Sequence, residues 1–179
     1  MLCTFAPLCT SDIFCQAFQF KINVQILPTR AYLNRYKVVD NYNCIRCGEK
    51  DSTIHNTWLC TNVSDFIGKI FIFLNTECNT NLSINESRDD YLFGFVSNDT
   101  ALNRILLELK MFNFYTLNND MSIDQDVLIG MFLSRVRRVM IKEKRFACLD
   151  KKYELYELKW DGFHQIYDFR GPDVDIFGT

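Results

Sequence analysis

Proline is scarce in this chain, three residues in 179, and glycine is thin at seven. That scarcity excludes a collagen-like or Pro/Gly-rich disordered chain. The glycines form no G-x-G-x-x-G or G-x-x-x-x-G-K run, which excludes a phosphate-cradling loop of either kind. Charge of one sign is lacking too: 20 basic against 22 acidic side chains leave a net charge of -2. Affinity for a polyanion would therefore have to come from local clustering of Lys and Arg. No uninterrupted apolar run approaches the roughly 20 residues of a membrane span. The first twenty residues have no basic segment, and Thr10-Ser11-Asp12 interrupts their apolar run, so no signal peptide is read. What is present is apolar mass, 48% of residues, in a chain long enough for one domain, or one plus a small module, with its own core.

Cysteine is plentiful, at positions 3, 9, 15, 44, 47, 60, 78 and 148. An even count invites a disulfide framework, but the spacing argues against one. Only Cys44 and Cys47 are close enough to clamp a metal, and the others fall in apolar or helical stretches where free thiols pack as small hydrophobes. Cys3, Cys9 and Cys15 are six apart, a turn of about 240° per step on a helix, so they share no face. The sequons at Asn62, Asn81, Asn85 and Asn98 would matter only in a secreted chain. The expectation is a soluble, intracellular, reduced protein, in nucleus or cytoplasm.

The periodicity predicts a mostly α fold, a helical domain built around a small stapled loop. Residues 11–24 place Phe14, Phe18 and Ile22, with Ile13 and Ala17, on one face behind an Asp12 cap. Ile26-Leu27-Pro28 stops that helix. Thr29 caps a short one over 30–36 that turns Ala31, Tyr32 and Leu33 inward. From Asn62, the residues Val63, Phe66, Ile67, Ile70, Phe71 and Leu74 recur at helical spacing. Residues 75–91 have the Asn, Ser and Asp content of a linker. A third helix, 98–117, has Leu102, Ile105, Leu106, Leu109 and Phe112 on its apolar side, behind Asp99 or Thr100. Ser122 and Gln125 form a capping-box pattern ahead of the longest helix, whose stripe is Leu128, Met131, Phe132, Val136, Val139 and Met140. A last helix over 150–160 precedes a tail broken at Gly171-Pro172. The division expected is 1–75 for N-terminal helices and metal module, 76–97 for a polar linker, and 98–179 for a helical region with a basic helix and acidic tail.

Residues 41–60 lack periodicity and need an internal staple. Cys44-x2-Cys47, His55 and Cys60 supply three thiolates and an imidazole, the donor set of a tetrahedral zinc ion. Two cysteines three apart make a tight turn whose amides point at sulfur, and Gly48 is free to take the positive φ such a turn needs. Four protein donors leave no position for a reacting water, so the site reads as structural. Trp58 reads as packing the knuckle onto the next helix.

The run Phe18-Gln19-Phe20-Lys21-Ile22-Asn23, Leu27-Pro28-Thr29-Arg30, Lys37-Val38-Val39-Asp40, then the Cys44/Cys47/His55/Cys60 set resembles the zinc-binding region after the polymerase of non-LTR retrotransposon reverse transcriptases. Leu92-Phe93-Gly94-Phe95, residues 102–110, Ile141-Lys142-Glu143-Lys144 and Trp160 are similar to the helical tail that follows that module. The resemblance spans roughly residues 15–165 and lacks the polymerase: Asp89-Asp90 follows Ser87-Arg88 in the polar stretch, without the palm pattern that would hold catalytic metal. It implies a non-catalytic module that holds zinc and grips RNA or DNA, with a reverse transcriptase polymerase domain as a further candidate partner. Lys21, Arg30, Arg35, Lys37 and Arg46, interleaved with Tyr32, Tyr36 and Tyr42, suit phosphate contact and base stacking. The α-helical stripe Arg135, Arg138, Lys142 and Arg145 reads first as a solvated face, and His164 with Tyr167 as a surface pair. The rival expectations are a zinc-stapled protein-interaction scaffold and a decayed retroelement fragment without function.

Overall fold

The structure, a computed structural model, describes residues 9–83, 88–93, 99–116 and 124–168. Cys3, Asn85, Gly94, Phe95, Asn98, Leu117, Ser122 and the Gly171-Pro172 breaker lie outside the described residues. The described residues are helical and contain no strand; Asn43 and Lys50 form an isolated bridge.

The helices are α1 (Ile13–Asn23), α2 (Arg30–Arg35), a π-turn (His55–Leu59), α3 (Thr61–Glu77), α4 (Arg88–Phe93), α5 (Thr100–Tyr115), α6 (Gln125–Leu149), α7 (Tyr153–Trp160) and α8 (His164–Asp168). Side-chain oxygens cap four of them: Asp12 accepts from the Phe14 and Cys15 amides, Thr29 from Tyr32, Asp99 from Ala101 and Leu102, and Asp124 from Asp126. Each bond satisfies one of the amides that a helix start leaves without a partner.

Helix α5 is the axis of the fold. Ile105, Leu106, Leu109 and Phe112 join a large core with Phe66, Ile70 and Leu74 of α3, Phe132, Val136 and Met140 of α6, and Trp160, Phe163 and Ile166 beyond. The opposite side of α5, Leu107, Met111 and Phe114, closes a smaller core with Cys9, Cys15, Phe18, Ile22 and Leu27. A helix packed on both sides buries its polar residues as well. Arg104, Glu108, Lys110 and Asn113 are each at most 4% exposed, and burial on that scale requires partners.

The stripes of α3 and α6 are those the spacing predicts, with Met131 and Val139 only partly buried. Helix α1 is rolled from its expected face. Cys15, Phe18, Gln19 and Ile22 point inward, while Ile13 and Phe14 are 76% and 84% exposed and Ala17 is exposed. The roll brings Gln19 to the Leu92 carbonyl (2.7 Å) and to the Lys110 ammonium, and Cys15 to Glu108 (3.8 Å). The polar side chains of α5 thus decide which side of α1 faces in.

The stretch read as a linker carries structure. Asn75 accepts from the Leu82 amide (2.8 Å) and Thr80 hydroxyl (2.7 Å) and donates to the Leu82 carbonyl (2.9 Å), folding the chain back beyond α3. Helix α4 then buries Tyr91 and Leu92, with Asp89 and Asp90 in the helix rather than in a loop. The last predicted helix starts at Tyr153 rather than Asp150, after Lys151 breaks the run at φ +56°. The region read as tail begins with α8, whose Ile166 is fully buried.

Candidate metal centre

The loop from Asn41 to Cys60 is held by backbone bonds at its base. The Cys44 amide donates to the Glu49 carbonyl (2.6 Å) and the Gly48 amide to the Cys44 carbonyl (2.9 Å). Gly48 sits at φ +81°, the left-handed conformation expected of it. The Arg46 and Cys47 amides point at the Cys44 sulfur. The fourth donor depends on the π-turn. On an α-helix, residues five apart diverge by about 140°, but here the Cys60 amide donates to the His55 carbonyl (2.9 Å), and the wider turn returns both side chains to one side. The Ser52 hydroxyl accepts from the His55 amide (3.1 Å), and the Thr57 hydroxyl donates to the Thr53 carbonyl (2.7 Å), holding the turn's entry.

The donor atoms of Cys44, Cys47, His55 and Cys60 lie within 4.8 Å of one another. Cys44 Sγ is 4.0 Å and Cys47 Sγ 3.9 Å from Cys60 Sγ, and Cys47 Sγ is 3.2 Å from His55 Nε2. All three cysteines are free thiols. For metal–sulfur bonds of about 2.3 Å, a tetrahedron has sulfur–sulfur edges of about 3.8 Å, so the residues fit a tetrahedral thiophilic ion. Burial pushes the Cys44 thiol up, but the Arg46 guanidinium and amide, the His55 ring and the Cys47 amide outweigh it and bring it down to about 6. Burial pushes Cys60 up to about 11, against the opposing charge of Arg46. This is the one Cys/His/acid group of metal-holding geometry among the described residues.

Two neighbours frame the centre. Trp58 is buried and packs its ring against Tyr91 (4.9 Å between centroids) and Phe71 (6.3 Å), as a residue docking the knuckle on α3 should. Asp51, which periodicity gave no reason to single out, is the hub. Its carboxylate accepts from the Arg30 amide (2.7 Å) and Asn56 Nδ2 (2.9 Å), and its carbonyl from the Ala31 amide (3.2 Å). One buried acid therefore ties α2 to the metal loop. The available signal was Asp51-Ser52-Thr53, a run of capping residues just ahead of the π-turn.

The candidate nucleic-acid residues do not share one environment. Lys21, Arg35 and Lys37 are exposed, and Lys37 sits at φ +57° just past α2. Arg30 is half-buried, with Nε enclosed and making no hydrogen bond. Arg46 turns to the metal cluster, with Nη2 3.5 Å from the Asn56 carbonyl. A cleft of about 590 Å³ opens between the end of α1, α2 and the metal loop, lined by Asn23, Tyr32, Arg35, Tyr36 and Lys50 among others. In the second basic group, Arg135 is committed to Glu108 (2.6 Å) and Arg137 to the Tyr167 carbonyl (2.9 Å), whereas Arg138, Lys142 and Arg145 are exposed. His164 is exposed, 3.7 Å from Asp161, and the Tyr167 ring lies under Lys144.

No protein-family model, no curated protein and no solved structure matches the chain. No helix of the described residues is long and apolar enough to cross a membrane.

Proposed function

We propose that this chain is a non-catalytic, zinc-stapled nucleic-acid-binding module, with zinc held by Cys44, Cys47, His55 and Cys60. When bound, the ion supplies folding energy and a fixed loop, since four protein donors leave no coordination position for a substrate. The observation that carries the reading is charge segregation around the metal loop. Residues 21–50 hold six basic and two acidic side chains, against fourteen basic and twenty acidic elsewhere. The net charge of -2 therefore conceals a locally basic unit.

The cleft beside the loop adds the second element of single-strand recognition. Tyr32 and Tyr36 stand 5.1 Å apart between centroids, Tyr36 is 66% exposed, and no carboxylate is among the described residues lining the cleft with Arg35 and Lys50. Cations track phosphate, and exposed aromatic rings accept bases by stacking at about 1 to 3 kcal/mol each. The resemblance to the zinc-binding region of retrotransposon reverse transcriptases belongs to this proposal, as does a polymerase domain as partner.

The test is titration of labelled single-stranded RNA and DNA at several salt concentrations. Log affinity is expected to fall linearly with log salt, by about 0.7 per phosphate contact, and Arg35→Glu/Lys37→Glu should abolish binding with zinc content unchanged. Absence of salt-sensitive binding to either strand type overturns the reading. A second reading, a protein-interaction scaffold, draws on a groove of about 380 Å³ lined by the exposed Ile13, Phe14 and Phe146. Partner binding that survives nuclease, without any strand binding, would favour it.

A further inference from the structure

The bound centre would carry a charge of its own. Three thiolates, a neutral imidazole and a divalent ion sum to one negative charge, and three of the four donors sit where water hardly reaches: Cys60 is 0%, Cys44 4% and His55 7% exposed, while Cys47 is only partly covered. An anion in such a place needs a counter-charge, because burying an unpaired charge is expensive.

Arg46 is placed to provide one. It stands between the two cysteines of the C-x2-C turn, and its side chain is half-buried beside them. Nη2 reaches the Asn56 carbonyl at 3.5 Å, on the π-turn that carries His55. Nε and Nη1 are enclosed and make no hydrogen bond with the protein. A buried donor without an acceptor costs free energy. A neutral thiol is a weak acceptor, whereas a metal-bound thiolate is anionic and accepts charge-assisted bonds. The two enclosed nitrogens thus lack an acceptor beside neutral thiols, and an anionic metal-thiolate cluster would be a better one.

We infer that Arg46 is a positioning residue of the metal centre, the counter-charge of the bound anionic cluster and the brace between the C-x2-C turn and the His55 turn, and not a phosphate contact. This rests on the metal reading above and departs from the sequence expectation that Arg46 faces nucleic acid. It predicts that two cations of the same module, Arg46 and Arg35, fail in different assays when removed.

The experiment compares wild type, Arg46→Met, Arg46→Lys and Arg35→Met, each titrated with zinc against a chromophoric chelator. Loss of an outer-shell partner weakens metal binding by about 10- to 100-fold. Arg46→Met should show that loss, Arg46→Lys should recover part of it, and Arg35→Met should match wild type. In the cobalt(II)-substituted protein, the sulfur-to-metal charge-transfer band should move in Arg46→Met and stay in place in Arg35→Met. With zinc saturating, the salt slope of RNA binding should be that of wild type in Arg46→Met and about 0.7 shallower in Arg35→Met.

Wild-type zinc affinity and an unmoved cobalt band in Arg46→Met overturn the inference, as does a shallower salt slope in that variant. Failure of wild type itself to bind zinc would overturn the metal reading instead, and the two failures are distinct. If Arg46→Met does not fold, the polar, uncharged Arg46→Gln decides: weakened zinc affinity upholds the inference, and affinity equal to wild type overturns it.

Discussion

The Cys60 amide donates to the His55 carbonyl at 2.9 Å, and that one bond across five residues is what brings the last two residues of the candidate metal centre together. A turn wider than an α-helix is rare and collects at functional sites. Here it stands at the hinge between an irregular loop and α3, whose stripe anchors it in the large core. Metal removal should therefore loosen the loop while the helices persist. Hydrogen exchange after chelation is expected to accelerate at least about ten-fold over residues 42–60 and to change little over α5 and the buried half of α6, since opening energies differ along a chain. Uniform acceleration over both would show that the centre holds the whole core.

Asp51 ties α2 to the loop through two side-chain acceptors, so its removal should reach beyond its own position. Asp51→Ala deletes the bonds that its carboxylate accepts from the Arg30 amide and the buried Asn56 side chain. The expected cost is about 2 to 4 kcal/mol, with weaker zinc retention because Asn56 lies in the π-turn. Asp51→Asn, which keeps one acceptor oxygen, should recover part of both. Thermal melts and chelator competition on the two variants are the check, and an unaffected metal affinity would confine Asp51 to a helix-capping role.

Lys110 is fully enclosed, with its ammonium on Gln19 Oε1, 3.5 Å from the Leu92 carbonyl and 5.5 Å from the Tyr91 ring centre. Burial pushes its pKa down to about 7, only partly opposed by Cys9. Above pH 7 the folded chain has released a proton that the unfolded chain keeps up to the ordinary lysine range, so this residue makes stability rise with pH, by at most about 1.4 kcal/mol per unit. Below pH 7 both states hold the proton, and the full cost of burying the charge applies. The buried thiols act in the opposite sense above pH 9, where Cys15 and Cys78, pushed up to about 11 by burial, stay protonated only in the folded chain. Denaturant melts between pH 7 and 8.5 should therefore show a positive slope that Lys110→Met removes, and equal slopes would mean that the amine titrates in its ordinary range.

How much of this was readable beforehand varied with what fixed each feature. The stripe Val63 to Leu74 was legible because one helix face meets one core. For α5 the same reasoning found Leu102 to Phe112 but could not see that the other face is covered as well. Arg104 and Glu108 pair within the helix, but the further partners of Arg104, Lys110 and Glu108 are Thr10, Gln19 and Arg135, all distant in sequence. The same long-range bonds rolled α1 away from Phe14 and onto Cys15 and Gln19. The clustering of Cys44, Cys47, His55 and Cys60 was legible because ligand chemistry fixes residue type and spacing without reference to packing. The direction of the Arg46 side chain was not, since it follows from the π-turn, which periodicity does not register. Asp51 was hidden for a related reason, as its two acceptors serve groups 21 and 5 residues away.

Glu108 sits 3% exposed between two arginines, 2.7 Å from Arg104 Nη2 and 2.6 Å from Arg135 Nε. Arg104 in turn donates to the Thr10 hydroxyl at 2.7 Å and lies 3.9 Å from Glu143, which Lys159 and the Trp160 indole hold at 2.8 and 3.0 Å. The chain of charges joins α5, α6 and α7 to the segment leading into α1. Removing one member of a buried pair leaves the other charge unpaired, at about 3 to 5 kcal/mol. Glu108→Gln should cost that much, a fall of about 10 °C in Tm at the few degrees per kcal/mol of a chain this long. Glu143 is 26% exposed and Lys159 20%, so solvent screens that end, and Glu143→Gln should cost about 1 kcal/mol. Replacing both partners, Arg104→Met with Glu108→Leu, removes the buried pair and leaves only the one-third exposed Arg135 without its carboxylate, so the double variant should be more stable than the sum of its single changes implies, with a coupling of about 1 to 3 kcal/mol. Additive costs in that cycle would mean that Glu108 is held by Arg135 alone, and that α1 is fastened to α5 through Gln19 and Lys110 instead.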